Sequence, residues 1–248
     1  RGWNMKQLKK VFSSVDAIIW FILAFLIGAM IAVPNFATMN NFKNILSQSC
    51  VLLTVACGVH FAVLNGGVDF SSTSIIALSS VVGASIMSET SGYLAGKWYA
   101  IPVALLAMLA LGAVFGIVNG IAVTVFKMPS FIATMATQLI GTGIAVIYSS
   151  GKTIGGLPDS FADFGGGTLF GIIPNVLILA LAVMLISHII CSRTLYGRRL
   201  YSVGTNPKAA LISGIPVKKT IFWIFILSGL CSAVAGIIMM GQMQSGAS

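Results

Sequence analysis

Apolar residues fall into seven long blocks that are separated by short polar or glycine-containing segments. A helix needs about 20 apolar residues to cross the hydrocarbon core of a bilayer. Because lipid offers no partner to free backbone groups, each block is predicted to be a helix. The pattern predicts an all-α membrane protein, a polytopic transmembrane helix bundle with about seven passes and a single domain over residues 1–248. The blocks cover residues 17–33, 46–64, 71–87, 99–126, 131–148, 172–190 and 221–240.

The composition excludes a soluble fold. Only 8% of the 248 residues are charged and 57% are hydrophobic, whereas a soluble domain carries about 25% charged residues. The net charge of +9 would suggest a nucleic-acid partner in a soluble protein. Here the basic residues stand between the apolar blocks rather than on one face. We therefore expect membrane lipid, and no nucleic acid, around this chain.

The basic residues between the blocks predict the orientation of the chain. If the N-terminus is cytoplasmic, all but three of the 14 Lys and Arg residues lie inside, in agreement with the positive-inside rule. A re-entrant hairpin made of the second and third blocks would leave the later assignments unchanged. The inside residues are Arg1, Lys6, Lys9, Lys10, Lys127, Arg193, Arg198, Arg199, Lys208, Lys218 and Lys219, and the outside residues are Lys43, Lys97 and Lys152.

The polar side chains form no pattern that is typical of catalysis or metal binding. There is no Ser-His-Asp or paired-carboxylate pattern, and the cysteines lack the spacing of a zinc site. We therefore expect no enzyme activity, no metal and no cofactor in this chain. The run Gly165–Gly167 is predicted to be a loop and not a dinucleotide-binding fingerprint, because such a fingerprint follows a strand and no strand precedes this run. Cys50, Cys57, Cys191 and Cys231 are interpreted as small buried apolar side chains.

Small residues recur at helical spacing in the fourth block. Gly112, Gly116 and Gly120 follow one another at intervals of four residues, which places them on one helix face. Helices in lipid pack through such small residues, because the hydrophobic effect does not drive their association. The spacing predicts a helix-packing surface in a close-packed bundle.

The segment 191–220 is the longest connection on the predicted inner side. Asn206 can cap a helix and Pro207 suits its first position, while Gly214 can supply a left-handed end. A helix of fewer than two turns is not stable alone, so it is predicted to dock onto another surface. The alternative is an elbow at which the chain re-enters the membrane. The candidate docking residues are Asn206, Pro207, Ala209, Ala210, Leu211 and Gly214.

The stretch Asn-Gly-Gly-Val-Asp-Phe-Ser at residues 65–71 lies between the second and third blocks. An ionisable residue flanked by apolar blocks is costly, which makes Asp69 a functional candidate. Broken helices of this kind often line a transport path, and Asn65 is a second candidate for it. The alternative is that Asp69 caps the third helix beside Ser71. His60 and His188 lie in apolar blocks, and each is expected to bond to a neighbouring helix.

Several motifs, taken in their order along the chain, carry a family resemblance. They are Pro34-Asn-Phe36, the stretch 65–71, Pro-Ser-Phe-Ile-Ala-Thr at 129–134, the long segment 196–217, and Leu-Ser-Gly-Leu at 227–230. In this order they resemble the ribose-type (simple sugar) ABC transporter permease family, the inner membrane component of binding-protein-dependent transport systems. The resemblance covers about residues 34–246.

The resemblance implies a multi-pass permease subunit of the bacterial cytoplasmic (inner) membrane that imports a monosaccharide-like solute. It also implies three kinds of partner: ABC ATPase subunits, a periplasmic or extracellular solute-binding protein, and a second permease subunit in a homodimer or heterodimer. The family's cytoplasmic coupling helix maps onto residues 206–214. ATP binding by the partner accounts for the lack of a phosphate-binding loop in this sequence.

Some features depart from the family pattern. Ser-Thr-Ser at residues 72–74 stands where the family usually has Val-Gly-Ser. The chain begins at Arg1 and ends at Ser248, while family members continue with further helices, so it is expected to be a piece of a longer permease. Three alternatives remain open: a branched-chain amino-acid ABC permease, an ion-coupled secondary transporter that uses Asp69 and His60, and a truncated product without transport activity.

Overall fold

The computed structural model describes residues 17–247. The predicted inner-side residues Arg1, Lys6, Lys9 and Lys10 lie outside this range. The chain divides into two compact units, at residues 1–45 and 46–248, and each is described by itself.

The first unit contains helix α1, Ala17–Ala32, and the first turns of helix α2, Met39–Leu64. Asn35 turns the chain between them with a φ of 63°. Thr38 Oγ1 donates to the Asn35 carbonyl oxygen at 2.8 Å, and Asn41 Nδ2 donates to the Phe36 carbonyl oxygen at 2.8 Å. Helix α2 begins before the predicted block at 46–64, because its first turns are polar and an apolar pattern does not detect them.

The second unit contains the rest of α2 and nearly all of the remaining secondary structure. A pair of two-residue antiparallel strands is the sheet in this part of the chain. The other elements are helices, which confirms the all-α prediction. They are α3 Ser72–Met87, α4 Ala100–Thr124, α5 Ser130–Ser149, α6 Asp159–Gly166, β1 Thr168–Leu169, β2 Ile173–Pro174, α7 Asn175–Arg193, α8 Leu195–Thr205, α9 Pro207–Ile212 and α10 Val217–Met243.

Each of the seven predicted apolar blocks contains a helix of the described chain. Five of these helices, α2, α4, α5, α7 and α10, are long and apolar enough to cross a membrane. Two shorter apolar helices are α1 and α3. The chain is therefore a polytopic membrane protein, and the number of about seven passes stays a prediction.

Two connections contain more structure than the sequence predicts. The predicted loop at Gly165–Gly167 is wrong in part, because Gly165 and Gly166 form the last turn of α6. A Cβ on Gly165 would overlap the backbone of Gly241, so the glycine lets α6 lie directly on α10. In the 191–220 segment, helix α8 precedes the predicted short helix. Helix α8 buries Gly197, Leu200 and Val203 on one side, a periodicity that the sequence analysis missed.

Helix α10 lies at the centre of the second unit. In its apolar segment 61% of the residues are buried, against 28% or less in the other four long helices. The face of α4 that carries Gly112 and Gly116 packs against it: a Cβ on Gly112 would overlap the Gly229 carbonyl oxygen, and one on Gly116 would overlap Phe225. A Cβ on Gly120 would lie 2.7 Å from the ring of Phe222. The three glycines thus lie where α4 and α10 are closest.

The connections gather at two opposite ends of the bundle. At one end, Val68 contacts the start of α5 through Ser130, and α8 lies against the end of α2. At the other end, Glu89 N–H donates to the Gly156 carbonyl oxygen at 2.7 Å, and residues 154 and 246 pair as an isolated bridge. Within the second unit, the segments that the sequence assigns to the inner side meet at the first end, and those assigned to the outer side meet at the second.

Candidate functional site

The chain between α2 and α3 has no regular secondary structure and is bonded to the start of α5. Gly66 has a φ of +72°, a conformation that glycine adopts without strain, and it turns the chain away from α2. The next residues bond to α5: Val68 N–H donates to Ser130 Oγ at 3.4 Å, and Thr134 Oγ1 donates to the Val68 carbonyl oxygen at 3.3 Å. The broken segment is thus fixed to a neighbouring helix.

Asp69 is buried at the start of α3, with 4% of its surface exposed. Its Oδ1 accepts hydrogen bonds from the backbone N–H of Ser71 at 2.9 Å and from Ser71 Oγ at 2.6 Å. Hydrogen bonds to an ionised carboxylate are about twice as strong as those between neutral groups. One carboxylate oxygen thus fixes Ser71, the residue that precedes α3, and no side-chain cap bond to the N–H groups of α3 itself is present in the described chain.

A chain of hydrogen bonds continues from Ser71 into two other helices. Asn119 Nδ2, on α4, donates to Ser71 Oγ at 2.9 Å. Thr137 Oγ1, on α5, donates to Asn119 Oδ1 at 2.7 Å. Asn119 is fully buried, and buried polar groups are stable when they are hydrogen-bonded. Together with Asp69, these side chains form what we call the polar relay: Asp69, Ser71, Asn119 and Thr137.

Three buried oxygen atoms of residues 65–72 have no hydrogen-bond partner in the described chain. They are Asn65 Oδ1, Asp69 Oδ2 and Ser72 Oγ. An unsatisfied buried acceptor costs about 1–3 kcal/mol, and more when it is charged. Such atoms can accept hydrogen bonds from water or from the hydroxyl groups of a solute. The segment that the sequence singles out around Asn65 and Asp69 therefore combines a rigid backbone with free acceptors.

Two members of the relay, Asn119 and Thr137, are not among the residues predicted from the sequence. Each is a polar residue inside a long apolar helix, and α4 carries Asn119 on the same side as Gly112 and Gly116. A polar side chain in a membrane helix usually faces the bundle interior, so that rule could have indicated them. Their partner Ser71 could not be identified in this way, because the contact spans 48 residues of chain.

The short helix α9 has the caps that the sequence predicts. Asn206 Oδ1 accepts from the backbone N–H of Ala209 at 3.0 Å, Pro207 is in the first turn, and Gly214 has a φ of +79°. Ala210 is buried with 4% exposure, whereas Leu211 is 66% exposed. The most exposed apolar side chain of α9, Ile212 at 87%, is absent from the predicted docking residues. Helix α9 thus presents the apolar side chains of Leu211 and Ile212 outward, while buried Ala210 faces the rest of the protein.

A mostly apolar groove lies between α9 and the start of α10. Its volume is about 490 Å³. Lysine side chains stand around its apolar floor, which gives the groove a positive rim. The lining residues are Pro207, Lys208, Leu211, Pro216, Val217, Lys218 and Lys219.

Tyr196 connects α8 to α10 next to this groove. Its hydroxyl donates to the carbonyl oxygen of Thr220 at 3.0 Å. Burial raises the pKa of the Tyr196 phenol, with a smaller contribution from Cys191, so the hydroxyl keeps its proton and the hydrogen bond at neutral pH. The segment 191–220 is therefore anchored to α10 on both sides of α9.

The two histidines do not bond to neighbouring helices as expected. No hydrogen bond involves the His60 or His188 side chain within residues 17–247, and both are exposed. They line the same cavity between α2 and α7. The four cysteines are free thiols, and Cys57 and Cys231 are only half-buried. Within the described residues, no group of His, Cys, Asp or Glu side chains could hold a metal ion.

The known proteins that are similar to this chain are permease components of transport systems. The family model described as branched-chain amino acid transport system / permease component matches residues 41–248. A galactose/methyl galactoside import permease protein of Haemophilus influenzae is 32% identical over 239 residues, which cover 92% of this chain and 71% of the relative. An L-arabinose transport system permease protein of Escherichia coli is 35% identical, over 89% of this chain and 64% of the relative.

A ribose import permease protein of Bacillus subtilis is 36% identical over 228 residues, which cover 91% of this chain and 67% of the relative. The chain thus spans between 64% and 71% of the length of these relatives. No solved structure matches the chain.

Proposed function

The chain belongs to the permease-component family of ABC importers that this family model and these sugar permeases represent, and from that premise we propose that it is a membrane permease subunit that imports a monosaccharide-like solute at the expense of ATP. The observation that carries the proposal is the similarity to permeases whose names specify galactose, arabinose and ribose. The specific sugar is left open.

The broken segment between α2 and α3 is the proposed contact of the solute with this chain. A monosaccharide is rich in hydroxyl donors, and Asn65 Oδ1 and Asp69 Oδ2 are buried acceptors without a partner in the described chain. Since the polar relay fixes the segment to α4 and α5, these acceptors would stay in place while a hydrated solute passes. An ion-coupled route through Asp69 and His60 has less support, because the cavity that His60 lines does not include Asp69.

Helix α9 is the proposed contact with the ATPase subunits. Leu211 and Ile212 project from it, and the groove beside it has a rim of lysines. These features favour a partner surface with apolar side chains and carboxylates. Ala210, which is buried, would hold α9 against the rest of the permease. Ala209, which is exposed, would lie at the contact with the ATPase.

Movement of α9 would reach the solute segment through α10. The Ile215 N–H donates to the Ala210 carbonyl oxygen at 3.0 Å, and the Val217 N–H donates to the Ile215 carbonyl oxygen at 2.8 Å, so α9 and α10 are joined by a short bonded turn. Helix α10 packs closely on α3 and α4. Closure of an ATPase dimer on α9 would therefore shift the helices that hold the polar relay between two arrangements.

The remaining parts of the proposal concern topology and partners. The N-terminus and the 191–220 segment would be cytoplasmic, within one permease domain in the bacterial inner membrane. ATP hydrolysis would occur in the ATPase subunits, so this chain would not itself be an enzyme. An external solute-binding protein and a second permease subunit, identical or different, would complete the transporter.

Uptake into proteoliposomes tests the proposal. The full-length permease is reconstituted with its ATPase and binding protein, and uptake of labelled galactose, arabinose, ribose and leucine is measured with and without ATP. We expect uptake of a sugar that requires ATP and is unaffected by ionophores. ATP-dependent uptake of leucine alone would favour a branched-chain amino-acid permease, and uptake that follows an ion gradient without ATP would favour a secondary transporter.

A further inference from the structure

A cavity opens between α2, α7 and α8 at the end of the bundle that carries α9. Its volume is about 390 Å³. Its walls combine histidine, tyrosine and serine side chains with apolar and thiol groups. The lining residues are Ala56, Cys57, His60, Met184, Ser187, His188, Cys191, Ser192 and Tyr201.

The polar and apolar walls of this cavity lie at different depths. Four residues separate Ala56 from His60 on α2, and four separate Met184 from His188 on α7, so in each pair the two side chains lie one turn apart on the same helix side. In both helices the histidine is nearer the end that meets α8. The cavity therefore has a polar upper part at the end of the bundle and an apolar lower part toward the middle of the membrane.

Helix α8 adds positive charge to the polar part. Arg198 precedes Tyr201 by three residues, so the two side chains are neighbours on α8; Tyr201 lines the cavity and Arg198 stands beside the lining, while Arg199 lies nearly opposite Tyr201. Arg193 is in the last turn of α7. Residues 164–248 contain no Asp or Glu, so this part of the chain has no carboxylate to pair with the arginines.

We propose that this cavity is a binding site for one anionic glycerophospholipid of the adjoining leaflet. Its phosphate would accept hydrogen bonds from Arg198, Tyr201 and the histidines, and an acyl chain would lie along Ala56 and Met184. Basic pockets between membrane helices bind anionic headgroups in this way. The site is separate from the solute segment and from the α9 groove, whichever solute is transported.

The apolar lower part identifies a lipid rather than free phosphate as the ligand. Inorganic phosphate would use only the upper, charged part of the cavity. A zwitterionic lipid such as phosphatidylcholine would fill the lower part, but its choline cation would offset the attraction between its phosphate and the arginines. An anionic phospholipid is the ligand that matches both parts.

Native mass spectrometry of the full-length permease tests this site. Detergent-purified protein is mixed with equal amounts of phosphatidylglycerol and phosphatidylcholine, and the bound lipid is identified after mild activation. We expect one phosphatidylglycerol to be retained in preference to phosphatidylcholine, and excess inorganic phosphate not to displace it. Arg198→Gln should lower its occupancy about fivefold, as expected for one basic side chain near an anionic lipid, while the matched variant Arg199→Gln should not.

A second variant keeps the test decisive if Arg198→Gln lowers the stability of the protein. His188→Leu replaces an exposed side chain and should also weaken retention of phosphatidylglycerol without changing the melting temperature. Equal retention of the two lipids would overturn the proposal, as would equal losses in Arg198→Gln and Arg199→Gln. Displacement by inorganic phosphate, or exclusion of lipid because another protein segment covers the cavity, would also overturn it.

Discussion

Asn119 on α4 donates a hydrogen bond from Nδ2 to Ser71 Oγ at 2.9 Å, and so connects the middle of the bundle to the first turn of α3. Ser71 in turn bonds to the carboxylate of Asp69, and Asn119 accepts from Thr137. One buried amide thus joins three parts of the chain that are far apart in sequence. The polar relay gives the broken segment a defined position inside the bundle.

Replacing Asn119 with Leu should weaken this position. The variant fills a similar volume but leaves Ser71 Oγ and Thr137 Oγ1 with one partner fewer, which should lower the free energy of unfolding by about 1–3 kcal/mol. Thermal unfolding in detergent measures the loss, and sugar uptake should fall with it. Val118→Leu, at an exposed neighbouring position of α4, is the matched control. Equal stability of the two variants would argue against a structural role of the relay.

Replacing Asp69 with Asn separates its two suggested roles. The amide keeps an oxygen that can accept from Ser71, so the start of α3 should stay in place and the melting temperature should change little. The partnerless Oδ2 acceptor is replaced by a donor, so sugar uptake should fall at least about tenfold, a loss of about 1.4 kcal/mol of transition-state stabilisation. If Asp69→Asn transports normally while Asp69→Ala unfolds, Asp69 serves only to hold Ser71 at the start of α3.

The contact between α4 and α10 should tolerate no additional carbon atom at Gly112. A Cβ there would overlap the Gly229 carbonyl oxygen and lie 2.7 Å from the Ala233 side chain, so Gly112→Ala should cost about 1–3 kcal/mol. Gly143→Ala on α5 is the matched control, because a Cβ at Gly143 would have nothing within 4 Å. Melting temperatures of the two variants in the same detergent test the prediction, and equal shifts would contradict it.

The hydrogen bond of Tyr196 should make the anchoring of α8 sensitive to high pH. Burial raises the pKa of the phenol in the folded chain, so above about pH 10 the unfolded chain loses this proton first and the folded state loses stability as the pH rises. Tyr196→Phe should lose about 1 kcal/mol at neutral pH and this part of the pH dependence. Tyr201→Phe, which lacks the bond to Thr220, is the control. A pH profile identical to that of the wild type would contradict the assignment.

The sequence predicts the helices well because the membrane imposes one strong rule. An apolar block of sufficient length must be a helix, and each of the seven blocks contains one. The same rule fails where polar residues continue a helix, as in the first turns of α2, and where a short amphipathic helix lies outside the blocks, as α8 does. Helix α6 was missed because glycine signals a loop locally, whereas Gly165 is needed for its contact with Gly241.

The functional candidates divide in a similar way. Asn206, Pro207 and Gly214 act through local backbone geometry, so their caps on α9 can be predicted from the sequence. Asp69 stands out as an acid between apolar blocks, but its partners come from other helices. Asn119 and Thr137 are brought to it only by the folded bundle, and the outward position of Ile212 follows from the burial of Ala210. Contacts between segments that are far apart in the sequence cannot be predicted from a single sequence.

The central claim is that an ATPase drives this permease through α9, and the double variant Leu211→Glu/Ile212→Glu tests it most directly. Both side chains are exposed, so the variant should insert and fold normally, and Thr205→Glu at the exposed end of α8 is the control. The measurement is ATP-driven sugar uptake in proteoliposomes, together with the amount of ATPase that co-purifies. We expect the double variant to lose both the uptake and the co-purified ATPase, and the control to keep both. Normal uptake with normal ATPase co-purification in the double variant would contradict it.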